Sequence, residues 1–172
     1  MKEQQFPGIT PDDYEDVRRL KARYFRYIDL KRWPELQALF TSEAKIMGFS
    51  FSPADPTSFV EAVSAYMDGV VSIHQGFMPQ LEPKSDNSIR GIWSMFDQLT
   101  WRTGSRAYQG FEVPGMSGIK GYGHYEEEYD RTVEGWRISS LKLCRIRIEP
   151  IIDSGHLTPE FSLTPTTTGW LD

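Results

Sequence analysis

The sequence predicts an α+β fold, with three helices packed on one face of a curved β-sheet. Three observations carry that expectation. Apolar residues recur at spacings of three and four through the first third of the chain. From Val70 onward the pattern changes to strands, and alternation is clearest between Ile89 and Trp101. The last two strand-like segments are joined by a short turn at Val133-Glu134-Gly135, which reads as an antiparallel hairpin. At 172 residues the chain suits one domain with a sizeable core. No internal repeat or domain boundary is visible.

The first helix begins at Thr10-Pro11-Asp12-Asp13. Thr10 is a good N-cap, Pro11 suits the first helical position, and two acids favour the positive end of the helix dipole. Tyr14, Val17, Leu20, Tyr24 and Ile28 then form one buried stripe. Asp29 falls at the far end, where a carboxylate opposes the dipole, so helix stability does not explain it. A short second helix follows Trp33-Pro34 and carries Leu36, Leu39 and Phe40. Lys45 to Phe51 reads as a strand. Asp55-Pro56-Thr57 opens a third helix, with Phe59, Val60, Val63, Tyr66 and Met67 facing inward and Gly69 ending it. Val71-Ser72-Ile73-His74 is a short β-branched strand. A turn at Lys84-Ser85-Asp86-Asn87 precedes the alternating segment, whose inner face holds Ile89, Gly91, Trp93, Met95, Asp97, Leu99 and Trp101. Residues 103–119 are rich in Gly, Ser and Pro and read as a long loop. Gly121–Arg131 and Trp136–Ile148 make the hairpin. From Pro150 the chain holds several Pro and Thr residues and reads as an extended tail.

Composition excludes several classes. The net charge is −5 and the basic residues are scattered among acids, which argues against nucleic acid or an anionic membrane as partner. Cys144 is the only cysteine, so intramolecular disulfides and cysteine-rich metal sites are out. The start, Met-Lys-Glu-Gln-Gln, does not read as a secretory signal, and no window reaches the length of a membrane helix. The expected location is cytoplasmic. Aromatics make up 13% of the chain, which fits a well-filled core or a ring-lined cavity for an apolar ligand.

Residues able to carry chemistry are few. His74 lies among apolar neighbours, where it is either a packed core residue or a general base. Asp29 is either a helix-end acid or a partner for such a base. Tyr24 fits the core stripe and is also a potential proton donor. Asp97 stands on an apolar face and needs a partner, either an arginine or His74. Arg145 alternates with Leu141 and Leu143, and Arg147 is next in register. One of the two is expected inside, as an ion pair with Asp97 or Glu149 or as an oxygen clamp, and the other at an edge or interface. His124 with Glu126 and Glu128 only faintly suggests metal ligands; Glu126-Glu127-Glu128 reads more simply as a solvated strand. Cys144 reads as a buried structural thiol. Neither a metal nor a cofactor is expected.

The order of these pieces resembles the SnoaL-like branch of the nuclear transport factor 2-like superfamily. Tyr24-Phe25-Arg26-Tyr27-Ile28-Asp29-Leu30-Lys31-Arg32-Trp33 resembles its first-helix motif. Gly121-x-Gly123-x-Tyr125 and Glu134-Gly135-Trp136-Arg137-Ile138-Ser139 resemble its C-terminal signature. Within the branch the chain is most similar to the scytalone dehydratase and bile-acid 7α-dehydratase type. Ile28 stands where the scytalone type has a tyrosine, which favours the bile-acid arrangement. The resemblance implies a cone-shaped α+β barrel over residues 1–150, with the tail at 151–172. It implies a cofactor-independent dehydratase acting on a hydrophobic cyclic hydroxy-carbonyl compound, with an isomerase or cyclase of a polycyclic ketone, or a non-catalytic small-molecule binding protein, as the alternatives. Tyr24, Asp29, His74, Asp97 and Arg145 would be catalytic, and Trp93, Met95, Phe96 and Tyr125 would contact substrate. A homodimer or homotrimer is expected.

Overall fold

The computed structural model describes residues 6–106, 113–153, 167 and 171. Within them the chain runs α1 (Pro11–Asp29), α2 (Trp33–Gln37), β1 (Phe40–Met47), α3 (Pro56–Tyr66), β2 (Val71–Ser85), β3 (Ser88–Thr100), β4 (Met116–Thr132) and β5 (Gly135–Ile152). The strands form one sheet in the order β1-β5-β4-β3-β2. β1 lies parallel to β5 and the other neighbours are antiparallel, so the sheet is mixed. Three helices on a curved mixed sheet is the expected α+β architecture. No described helix is long and apolar enough to cross a membrane.

α1 starts where its signals place it. The Asp13 carboxylate accepts from both the Thr10 backbone N–H and its hydroxyl, each at 2.8 Å, which closes the first turn. Val17, Leu20, Tyr24 and Ile28 are buried, and the stripe faces the sheet. The helix end is fastened next to β2: Lys31, in a left-handed conformation with φ 60°, donates to the Ser72 hydroxyl at 2.8 Å. That tie holds Asp29 two residues earlier against β2.

Several boundaries differ from the sequence reading. α2 stops at Gln37, and Phe40 opens β1 rather than extending the helix. The sheet wins here because Phe40 pairs with Ile138, whose N–H donates to the Leu39 carbonyl at 2.8 Å. β2 continues to Ser85 through Gly76, Pro79 and Pro83, residues that normally break a strand. It can do so because it is the sheet edge, where a missing N–H costs little. Its pairing slips between Phe77 and Gln80, a bulge that bends the edge. β4 begins at Met116, inside the expected loop, and β5 runs to Ile152. The rest of the expected tail lies outside the described residues except for 153, 167 and 171.

Candidate active site

The sheet brings the sequence candidates into one row. His74 on β2 pairs with Asp97 on β3, and Asp97 pairs with Gly121 on β4. Arg145 on β5 reaches the same row from the side, because its strand partner is Gly123. Neither glycine offers a side chain. A Cβ at Gly121 would sit 1.8 Å from Arg145 Nη1 and 2.2 Å from Asp97 Oδ1. The bare strand is therefore the passage through which Arg145 meets Asp97.

Two couples result. Asp29 grips His74 twice: its Oδ1 lies 2.7 Å from the imidazole Nδ1, and its Oδ2 accepts from the His74 backbone N–H at 2.9 Å. A carboxylate on Nδ1 fixes that nitrogen as the N–H, which leaves Nε2 with the lone pair. Arg145 clasps Asp97 through both terminal nitrogens, at 2.8 and 2.6 Å, the bidentate geometry of a strong charge-assisted pair. Asp97 is 1% exposed, so this pairing answers the charge that the apolar strand face would otherwise leave uncompensated. The partner left open by the sequence is thus the arginine.

A bulge decides which arginine turns inward. The β4–β5 pairing slips between Tyr122 and Gly123, adding a residue at Ile146. Arg145 and Ile148 face the interior, whereas Arg147 is exposed and pairs with Glu149 at 2.6 Å.

These groups border a cavity of about 330 Å³, the low end of the range for small-molecule sites. His74, Asp97 and Arg145 form its polar wall, together with Tyr24 and Tyr125. Its apolar lining includes Phe49, Phe51 and Phe59, with ring centroids 5.0 to 6.2 Å apart, and Val63 and Met67 of the α3 region. Tyr24 and Tyr125 pack edge to face with centroids 5.8 Å apart. Burial pushes the Tyr24 phenol well above its ordinary pKa, and neighbouring Tyr125, Glu127 and Asp97 add to it. Burial does the same to Tyr125, with Asp97 pushing further and Arg145 pulling back. Both therefore remain O–H donors at any physiological pH. The Tyr24 hydroxyl is buried, and its polar neighbour is the Tyr125 phenol, outside normal hydrogen-bond geometry. Such a donor costs stability unless something else uses it.

Four of the five expected catalytic residues, Tyr24, His74, Asp97 and Arg145, thus border this cavity, and Asp29 stands behind His74 as its hydrogen-bond partner. Of the four expected substrate contacts, only Tyr125 lines it. Phe96 lies on the opposite face of β3, against Tyr122 with centroids 5.4 Å apart, because strand alternation excludes it from the face of Asp97. Trp93 shares the inner face but is spent elsewhere, donating to the Tyr129 hydroxyl at 2.8 Å. Met95 is buried behind the Arg145 guanidinium. The three-glutamate run is also divided. Glu126 and Glu128 pair outside with Lys142 and Lys84, each at 2.7 Å, but Glu127 is buried between Tyr125 and Tyr129 on the inner face. Its partner is Lys21 at 2.5 Å, a residue the sequence reading passed over. The missed signal is its spacing from Val17 and Tyr24, which places it on the buried stripe. Cys144 is half-buried opposite His124 rather than in the core.

The SnoaL-like domain family model matches residues 10–142. This chain belongs to the SnoaL-like domain family. A protein of Gibberella zeae named as a probable cyclase is 24% identical over 154 residues, spanning 81% of this SnoaL-like chain and 95% of its own length. Many solved structures share the fold, among them two from Novosphingobium species. The hexachlorocyclohexane dehydrochlorinase LinA type 3 of Novosphingobium barchaimii is 16% identical, with a TM-score of 0.66 over 90% of this chain and 96% of its own. A Novosphingobium aromaticivorans protein named for scytalone dehydratase is 13% identical, with a TM-score of 0.67 over 81% and 87%.

Proposed function

We propose that this SnoaL-like protein is a cofactor-independent dehydratase, a carbon–oxygen lyase. Its substrate is a hydrophobic cyclic compound with a hydroxyl β or vinylogous to a carbonyl. One observation carries the reading: a histidine oriented by a carboxylate faces an apolar cavity that the Tyr24 and Tyr125 phenols also line. His74 Nε2 takes the proton from the carbon next to the carbonyl. The bonding pair becomes an enolate, and Tyr24 donates to its oxygen. Asp29 stabilises the imidazolium that forms. The enolate then reforms its carbonyl as the β C–O bond breaks. The departing oxygen takes the proton from His74, so water leaves and the imidazole is neutral again. Arg145, fixed by Asp97, holds the polar end of the substrate, and the phenylalanine cluster holds the apolar end.

The test is mass spectrometry of a panel of cyclic β-hydroxy ketones, aromatic and steroid-like, incubated with wild type and with His74→Ala. Loss of one water in the wild type, reduced at least about a hundredfold in the variant, supports the reading. A folded His74→Ala protein with full turnover overturns it. The Gibberella zeae relative favours a second reading, isomerisation or cyclisation through the same enolate. That reaction changes retention on a column without changing mass.

A further inference from the structure

Beside the two cavity phenols lies a charged group that the proposed reaction does not use. The Lys21 ammonium is fully buried. It sits 3.7 Å from the Tyr125 ring centroid, 4.0 Å from that of Tyr24 and 4.6 Å from that of Phe25. Glu127 binds it at 2.5 Å through one carboxylate oxygen, and the other oxygen accepts from the Tyr129 hydroxyl. Tyr129 in turn accepts from Trp93. Two charges taken out of water this completely are seldom worth their desolvation as a source of stability, and apolar residues of the same size often do as well. Something about the place of the charge has to explain it. The place is over two rings whose residues line the cavity.

We propose that Lys21 is a positioning residue for the cavity, holding and polarising the Tyr24 and Tyr125 phenols so that they bind an oxyanion. A cation over a ring face is attracted to its π density, and the attraction grows as negative charge gathers on the ring oxygen. Two O–H donors backed in this way hold an anionic oxygen more firmly than the same phenols on an apolar support. The ammonium is also the counter-charge to Glu127, which bears on both hydroxyls. Without Lys21 that carboxylate would repel the oxyanion. The inference rests on the reading of Tyr24 as an oxyanion donor, and it gives that donor a second partner in Tyr125.

The test measures binding rather than turnover. A nitronaphthol, ionised at the assay pH, mimics the enolate, and the parent nitronaphthalene is its uncharged counterpart. Affinities for both are measured by calorimetry with wild type, Lys21→Met and Lys21→Met/Glu127→Gln. The wild type is expected to prefer the anion. That preference should fall about tenfold in Lys21→Met, with nitronaphthalene affinity unchanged. The double variant leaves no unpaired buried charge, keeps an acceptor for Tyr129, and serves if the single variant does not fold. Its preference should fall less than that of the single variant but stay below wild type. A preference for the anion that survives intact in the variants overturns this inference and leaves the oxyanion reading standing. A wild type that takes up nitronaphthalene with no preference for the anion overturns both.

Discussion

Adding a single methyl group at Gly121 tests how the site is assembled. The new Cβ in Gly121→Ala would land 1.8 Å from Arg145 Nη1 and 2.2 Å from Asp97 Oδ1, far inside any real contact. Asp97 is 1% exposed on a central strand and has no room to retreat. Arg145, a quarter exposed at its side chain, has to swing away. Both charge-assisted hydrogen bonds are then lost and the Asp97 charge is left buried. Breaking a buried pair costs roughly 3–5 kcal/mol, and the partial exposure of Arg145 argues for the lower end, about 3 kcal/mol. For a chain of this size that is a fall in Tm of roughly 6–12 °C. Gly135→Ala is the control. Gly135 has φ 104° but nothing within 4 Å of a Cβ, so it should cost only about 1–2 kcal/mol of backbone strain. The assay is urea unfolding followed by fluorescence, with affinity for an apolar cavity ligand measured in parallel. Gly121→Ala should lose both stability and affinity. A variant within about 0.5 kcal/mol of wild type and binding normally would refute the claim that the bare strand exists to let Arg145 reach Asp97.

Other substitutions probe separate parts of the account. Asp29→Asn keeps a group beside His74 but removes the charge that orders and balances the imidazole, so kcat should fall at least about a hundredfold with KM little changed. Phe51→Ala opens the apolar wall and should weaken an aromatic ligand about tenfold, whereas Phe96→Ala, on the other face of the sheet, should leave its affinity within about twofold. Equal effects of the two would contradict the side assignment. Burial pushes the Asp13 carboxyl up, but hydrogen bonds from Arg131, Thr10 and Trp136 outweigh it and hold its pKa well below the carboxylate range. A depressed folded-state pKa gives stability that is complete above the unfolded value of about 4 and drains away as pH falls below it. Unfolding midpoints should therefore drop on the acid side in wild type and drop less steeply in Asp13→Asn.

Much of this arrangement is legible in the sequence because local signals and the tertiary fold agree. The α1 start needs only Thr10, Pro11 and Asp13, and the alternation from Ile89 to Trp101 sets the inner face of β3 unaided. Asp97 stands out as a charge on that face, and the structure answers it with Arg145. Misplaced features are those that depend on neighbours distant in sequence. β2 passes through Pro79 and Pro83 because it is an edge strand, a fact that topology supplies. Arg147 turns outward because of a bulge at Ile146, which no local pattern marks. Phe96 is different: its alternation with Asp97 is visible in the sequence and places it on the outer face. Lys21 and Glu127 are hidden by their own chemistry, since a lysine on a helix and a glutamate among glutamates read as solvated. Each had the buried spacing, Lys21 between Val17 and Tyr24 and Glu127 between Tyr125 and Tyr129. Their meeting across α1 and β4 is a contact that neither segment shows alone.

In the proposed reaction His74, oriented by Asp29, removes a proton from carbon beside a carbonyl. The measurement that tests it most directly is hydrogen exchange at that carbon. A cyclic ketone lacking a hydroxyl to expel is incubated in heavy water with wild type and with His74→Ala, and deuterium uptake is followed by NMR. Uptake is expected at the carbon next to the carbonyl with the wild type and only at the background rate with the variant. Uptake at the same rate in a folded His74→Ala protein would contradict it.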